Sequence, residues 1–142
     1  MLMFPMVRNA AGFKEAFLLC EEVRAELKSR AQVPVGIMSE TREAAENSAE
    51  LAKLADFFSI GTNDLYHEIS GAPGRDAGIT ADDKVREEVI RLIEKTVKSA
   101  HEQGKRVTVC GRMAEDSDMA ERFIEMGFDG VSRPVALIKE RT

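Results

Sequence analysis

Two acidic residues, Glu40 and Asp64, follow short apolar runs that turn polar abruptly. Val33 to Met38 leads into Ser39-Glu40, and Phe57 to Ile60 leads through Gly61-Thr62 into Asn63-Asp64. Such runs read as buried β-strands, and in α/β proteins ligands bind in the crevice at the carboxyl ends of the strands. Neighbouring parallel strands lie about 4.8 Å apart, so carboxylates at one edge can share a hard cation. Mg2+, or Mn2+ in its place, suits a site of one or two carboxylates completed by substrate oxygens and water. Each acid also has a plainer reading: Glu40 as an acid favoured near a helix start, Asp64 as a turn or cap residue. Asn63 can offer its amide to a carboxylate or phosphate, or can simply form a turn. Cys110 ends another apolar run, before Gly111. A thiol there is either a small buried hydrophobe or, at the carboxyl end of a strand, a group facing a ligand.

The elements that must carry these residues alternate between two periodicities, as βαβ units around a parallel sheet do. Strands are expected at Met1 to Phe4, Val33 to Met38, Phe57 to Ile60, Arg106 to Cys110 and Val131-Ser132. From about Gly12 to Lys28, a helical stripe of Phe13, Ala16, Phe17, Cys20, Val23 and Leu27 should pack on the sheet. A second helix from about Arg42 to Lys53 has a small face of Ala45, Ser48, Ala49 and Ala52. The glycine-rich segment Gly71 to Gly78 reads as a loop in which Arg75 could close over phosphate in bidentate fashion, or could be a solvated surface arginine. Thr80 with Asp83 resembles a capping box opening a long helix that carries Val85, Val89, Leu92, Ile93 and Ala100 and ends at Gly104. Ser117 can cap another helix, with Ala120, Phe123, Ile124 and Met126 closed by Gly127, and a terminal helix is expected from Pro134.

At 142 residues the chain fits one domain, and its net charge of −5 argues against nucleic acid or an anionic membrane as the main partner. No apolar run approaches a membrane span and the first residues lack a signal-peptide layout, so a cytoplasmic protein is expected. Cys20 and Cys110 sit in separate apolar contexts, and neither belongs to a paired-cysteine motif, so no structural disulfide is expected. His67 and His101 have no serine or cysteine nucleophile nearby in sequence and read as structural or surface residues, with His67 close enough to Asp64 to line the site.

Four blocks carry a family resemblance: Met3-Phe4-Pro5-Met6, Gly36-Ile37-Met38-Ser39-Glu40-Thr41, Phe57-Phe58-Ser59-Ile60-Gly61-Thr62-Asn63-Asp64-Leu65 and Cys110-Gly111. In this order and spacing they resemble the phosphoenolpyruvate-binding barrel of enzyme I of the sugar phosphotransferase system, shared with pyruvate phosphate dikinase and phosphoenolpyruvate synthase. The match spans nearly the whole chain, and the Phe57 to Leu65 run is highly specific. The resemblance implies a partial (β/α)8 TIM barrel, an α/β fold of about five parallel strands alternating with helices. Its exposed edges would need covering by oligomerisation, by a partner chain supplying the missing strands, or by rearrangement into an open sheet.

The resemblance also implies a function: phosphoenolpyruvate donates its phosphoryl group to a histidine on a separate domain, leaving pyruvate. Glu40 and Asp64 would hold the metal and Asn63 and Arg75 the substrate, while Cys110 would exchange a proton with the methylene carbon of the pyruvate enolate. Three segments depart from the family pattern. Gly74-Arg75-Asp76-Ala77 stands where Asp-Arg-x-Asn is typical, Arg112 where Glu follows Cys-Gly, and Ser132-Arg133-Pro134 where Ser-x-Ser is usual. Two other functions fit the same residues, a non-catalytic interaction module that kept the fold and a metal-dependent pyruvate lyase or aldolase.

Overall fold

A computed structural model describes residues 1–71 and 83–137. Five parallel strands, β1 (Leu2–Phe4), β2 (Val35–Ser39), β3 (Phe57–Gly61), β4 (Arg106–Cys110) and β5 (Gly130–Val131), pair in sequence order. Each is followed by helix: α1 (Ala10–Glu26); α2 (Arg42–Glu46) and α3 (Ser48–Ala52); α4 (Thr62–Ser70) and α5 (Asp83–Glu102); α6 (Arg112–Glu115) and α7 (Ser117–Glu125); and a 3-10 turn at Val135–Leu137. This is the α/β arrangement of a barrel wall, and the five expected strands are present with ends shifted by at most two residues. The loop holding Arg75 and the capping box at Thr80 lie outside the described residues.

The helices differ from expectation in number, for local reasons. The helix expected over 42–53 is two, split at Asn47, whose ψ of 16° leaves the helical range while its amide caps back onto Glu43 O at 2.9 Å. A helix not anticipated, α4, starts directly from Gly61 with no intervening loop. Asp116, not Ser117, caps α7, accepting from Met119 N at 2.9 Å.

Alternation divides the sheet into two faces. Ile37, Phe58, Ile60, Val107 and Val109 lie at 0 or 1% exposure beneath the helices. Across the sheet, the row of Met38, Ser59, Thr108 and Gly130 pairs in register on the opposite face, with Cys110 above it. Among the described residues no helix layers that face, and Met38, Thr108 and Cys110 are half-buried.

Of α1's expected stripe, only Phe13 is buried. Phe17 is 36% exposed, Val23 45% and Leu27 73%. β1 is a sheet edge, and past its first turn α1 stands away from the starts of β1 and β2. The result is an apolar groove of about 410 Å3 between α1 and the sheet edge, lined by Leu2, Phe17, Cys20, Val23, Leu27 and Val33.

At the amino ends of the strands the same device appears twice. Asp56 accepts Val35 N at 2.8 Å through Oδ2 and donates its own N–H to Val35 O at 2.9 Å. Asp129 does the same to Val107, at 2.7 and 2.9 Å, and also faces His101 Nε2 at 3.2 Å. An aspartate just before one strand thus clamps the start of its neighbour. The Val107 N–H chiefly, with His101, holds the Asp129 carboxyl below the usual range. A depressed native pKa gives stability that is present above the unfolded value and lost as pH falls through the native one. Asp129→Asn keeps an oxygen for Val107 but loses the charge. It should unfold more readily near pH 7, by about 1 kcal/mol at most given the exposure of the pair, and the gap should close as pH falls through the lowered native range of the carboxyl. Urea unfolding followed across the acid range measures this, and a gap that never narrows in acid would contradict it.

Candidate active site

Strand register sets the level of every candidate group. Ser39 pairs with Ile60 and Gly61 pairs with Cys110, so Glu40 comes beside Gly61 at the carboxyl edge. Glu40 is only 4% exposed. Its Oε1 accepts the Met6 N–H at 2.8 Å, and its Oε2 reaches over Gly61, where an added Cβ would lie 2.8 Å from that oxygen. Only glycine leaves room for the carboxylate there.

Because α4 begins where β3 ends, Thr62, Asn63 and Asp64 all fall in its first turn, where the helix N-terminus favours the Asp64 charge. Thr62 Oγ1 donates to Cys110 O at 2.9 Å, and Asn63 Oδ1 accepts the Arg112 N–H at 2.8 Å. Gly111, at φ +99°, makes this junction possible, since a side chain there would overlap Thr62 Oγ1 and crowd Asn63 Oδ1. The exit of β4 is stitched to the start of α4.

The Cys110 thiol is half-buried, with Ser59 Oγ hydrogen-bonded to its Sγ at 3.9 Å. Burial raises its pKa, and the carboxylates of Glu40 and Asp64 raise it further, against the opposing pull of the Ser59 hydroxyl. Both carboxylates therefore act at the thiol. The group stays protonated at neutral pH, as a proton donor must before it acts.

The structure thus gathers Glu40, Asn63, Asp64 and Cys110 at one edge, while Arg75 lies outside the described residues. Asn63 spends its oxygen on Arg112, which leaves its NH2 as the donor for a ligand. Arg112 sits exposed at the start of α6. Arg133 is occupied in holding Glu115 O at 2.6 Å. Cys20 lies in the α1 groove, and His101 belongs to the Asp129 clamp at the opposite end of the sheet. His67 is half-buried on α4. Sequence reading missed Ser59, Thr62 and Met6 as supports. Period-two counting back from Cys110 in register would have found Ser59; nothing in the sequence marks the Met6 N–H.

Among the described residues no group of three or more His, Cys, Asp or Glu converges as a metal cage. A pair of carboxylates with oxygen donors only suits a hard cation that keeps water and substrate oxygens in its shell. Removing either negative charge should lower the Cys110 pKa. In a Cys20→Ser background, Glu40→Gln and Asp64→Asn should each speed iodoacetamide alkylation of Cys110 at fixed pH near 8, through a larger thiolate fraction. Unchanged rates would show that the carboxylates do not face the thiol.

Known proteins resemble this chain in sequence and in fold. Residues 1–141 match the family described as PEP-utilising enzyme, PEP-binding domain. A phosphoenolpyruvate-protein phosphotransferase of Streptococcus equinus is 36% identical over 137 residues, covering 92% of this chain and 24% of that protein. A multiphosphoryl transfer protein of Xanthomonas campestris is 34% identical over 132 residues, again 92% of this chain but 16% of its own length. This chain therefore spans about a quarter or less of these relatives. Among solved structures, a citrate lyase from Burkholderia xenovorans superposes with a TM-score of 0.74 at 23% identity, over 95% of this chain and 45% of that one, a likeness of fold. With the match running almost end to end, the chain belongs to the PEP-binding domain family of PEP-utilising enzymes.

Proposed function

We propose that this chain binds phosphoenolpyruvate with a divalent cation and forms the substrate-binding part of a phosphotransferase. Its product would be pyruvate, and the acceptor a histidine on another domain. The observation that carries this reading is the meeting of two carboxylates, an amide donor and a protonated thiol at one strand edge, with both carboxylates acting on the thiol.

Glu40 and Asp64 would hold Mg2+ or Mn2+, which when bound supplies charge stabilisation for phosphate and enolate oxygens. Asn63 donates to the substrate, and Arg75, from the glycine-rich loop, orients the phosphate. As the bond between phosphorus and the enol oxygen breaks, the phosphoryl group passes to the histidine nitrogen and the electron pair stays on oxygen as the enolate. The methylene carbon then takes the Cys110 proton, giving pyruvate and a thiolate that solvent reprotonates. Burial, with the neighbouring carboxylates, keeps the thiol protonated until the enolate forms and favours reprotonation of the resulting thiolate.

The open face and the α1 groove favour a second contribution, association. Strands and helices from elsewhere in a longer chain, from a partner polypeptide or from a second copy would cover the β1 edge and the apolar groove. A purely non-catalytic module would keep this association and lose ligand binding. The citrate lyase likeness lends no support to a lyase, since it concerns fold alone. Among the described residues no helix is long and apolar enough to cross a membrane.

Calorimetric titration of phosphoenolpyruvate with and without Mg2+ tests the ligand reading. Binding should require the metal and weaken at least about tenfold in Glu40→Gln and in Asp64→Asn, the scale for losing a charged ligand contact. No binding by wild type at millimolar ligand would leave the non-catalytic module as the better account. Association is tested separately by light scattering. The isolated chain should form dimers or larger species in a concentration-dependent way, and Leu27→Glu with Val23→Glu should reduce them. A wild type that stays monomeric at high concentration overturns the covering argument.

A further inference from the structure

Met6 holds a left-handed backbone, φ +54°, a conformation that costs a non-glycine residue free energy. Its side chain is 47% exposed, so packing of the methionine does not account for the cost. What the conformation delivers is the N–H, which donates to Glu40 Oε1 at 2.8 Å across 34 residues of sequence. The loop is fixed on both sides of that donor. Before it, Phe4 is paired with Ile37 and Pro5 restricts the chain; after it, Val7 O accepts Thr41 Oγ1 at 3.0 Å. Thr41 in turn caps α2 through Ala44 N at 3.1 Å, and Asn9 Nδ2 donates to Glu43 Oε1 at 3.0 Å. Three bonds, to Glu40, Thr41 and Glu43 just past the second strand, hold one short loop in place.

We propose that Met6 is a positioning residue: its strained backbone aims an N–H at Glu40 Oε1 and so fixes Oε2 over Gly61, on the side where a cation and substrate oxygens would meet. This rests on the reading of Glu40 as a metal-binding carboxylate. With one oxygen held by a main-chain donor, the carboxylate is fixed in a single orientation, and the ordering of that side chain precedes ligand binding. A bond that served stability alone would leave the affinity of the carboxylate for a cation unchanged when removed.

The donor can be deleted without altering a side chain. Ligating a synthetic 1–19 thioester to residues 20–142, which begin with Cys20, allows an ester in place of the amide at Met6. Two readouts follow, the carboxyl carbon resonance of Glu40 with labelled glutamate in the recombinant piece, and Mn2+ affinity from the free-ion signal. The ester chain should shift the Glu40 resonance and bind Mn2+ about tenfold more weakly, the scale for losing a partner of a metal ligand. Met6→Gly, which keeps the N–H and takes a left-handed φ without a Cβ, should retain both the resonance and the affinity to within about twofold and melt no lower than wild type. An unmoved Glu40 resonance in the ester chain overturns the proposal, as does unchanged Mn2+ affinity when the native chain binds. If the native chain binds no Mn2+ while the resonance moves, the metal reading fails and the positioning of the carboxylate by Met6 stands.

Discussion

The paired register of β2, β3 and β4 is the constraint on which every candidate group depends. Side chains alternate along a strand, so slipping one strand by a single residue would exchange its faces. A slip of β4 would turn Cys110 beneath the helices and bring Val109 to the open face. The register is fixed by burial on the helix side, where Ile37, Phe58, Ile60, Val107 and Val109 have no alternative that keeps them dry. The core therefore does not merely hold the sheet together; it decides that a thiol, and not a valine, faces the open side of the sheet.

The two ends of the sheet are held by different means. At the amino ends, Asp56 and Asp129 clamp neighbouring strand starts through side chain and backbone together, using no group that a ligand could claim. At the carboxyl ends the bonds run between a loop and the exit of another strand: Met6 to Glu40, Thr62 to Cys110, Asn63 to Arg112. Charged groups then tie the helices behind them. Arg42 meets Glu46 and Glu88, its N–H meets Glu68, and Glu68 also meets Arg8. Arg91 and then Arg42 draw the Glu88 carboxyl down to about 2. These pairs are exposed and individually weak, so their role is to set the angle of α2 and α4 and not to supply much stability.

Strands and α5 were legible in the sequence because their burial is one-sided and periodic, and the positions of Glu40, Asp64 and Cys110 followed from where apolar runs stop. Local capping was less legible. Asn47 breaks a helix whose sequence continues in pattern, and α4 opens from Gly61 with no loop to announce it. The stripe on α1 shows a different failure: its periodicity is sound, yet burial needs a neighbour that periodicity does not supply. The supports of the site were the least visible, since Met6 contributes a backbone N–H and Thr62 a hydroxyl aimed at a carbonyl. Main-chain donors have no residue type, so composition and spacing pass over them.

The exposed stripe on α1 and the open face of the sheet are separate apolar surfaces. A parallel strand is ordinarily buried on both faces, and its helix is shared between two strands. Among the described residues β1 has a neighbour on one side only, and Phe17, Val23 and Leu27 of α1 are left exposed. The α1 groove lies at the amino ends of β1 and β2, lined by Leu2, Val33 and Val35, whereas Cys110 lies at the carboxyl edge of β4, so covering the one does not enclose the other. Desolvation is the first cause of that thiol's raised pKa, so further covering of its own face would hold it more firmly in the protonated form. Stability at the edge and chemistry at the strand ends thus depend on different surfaces.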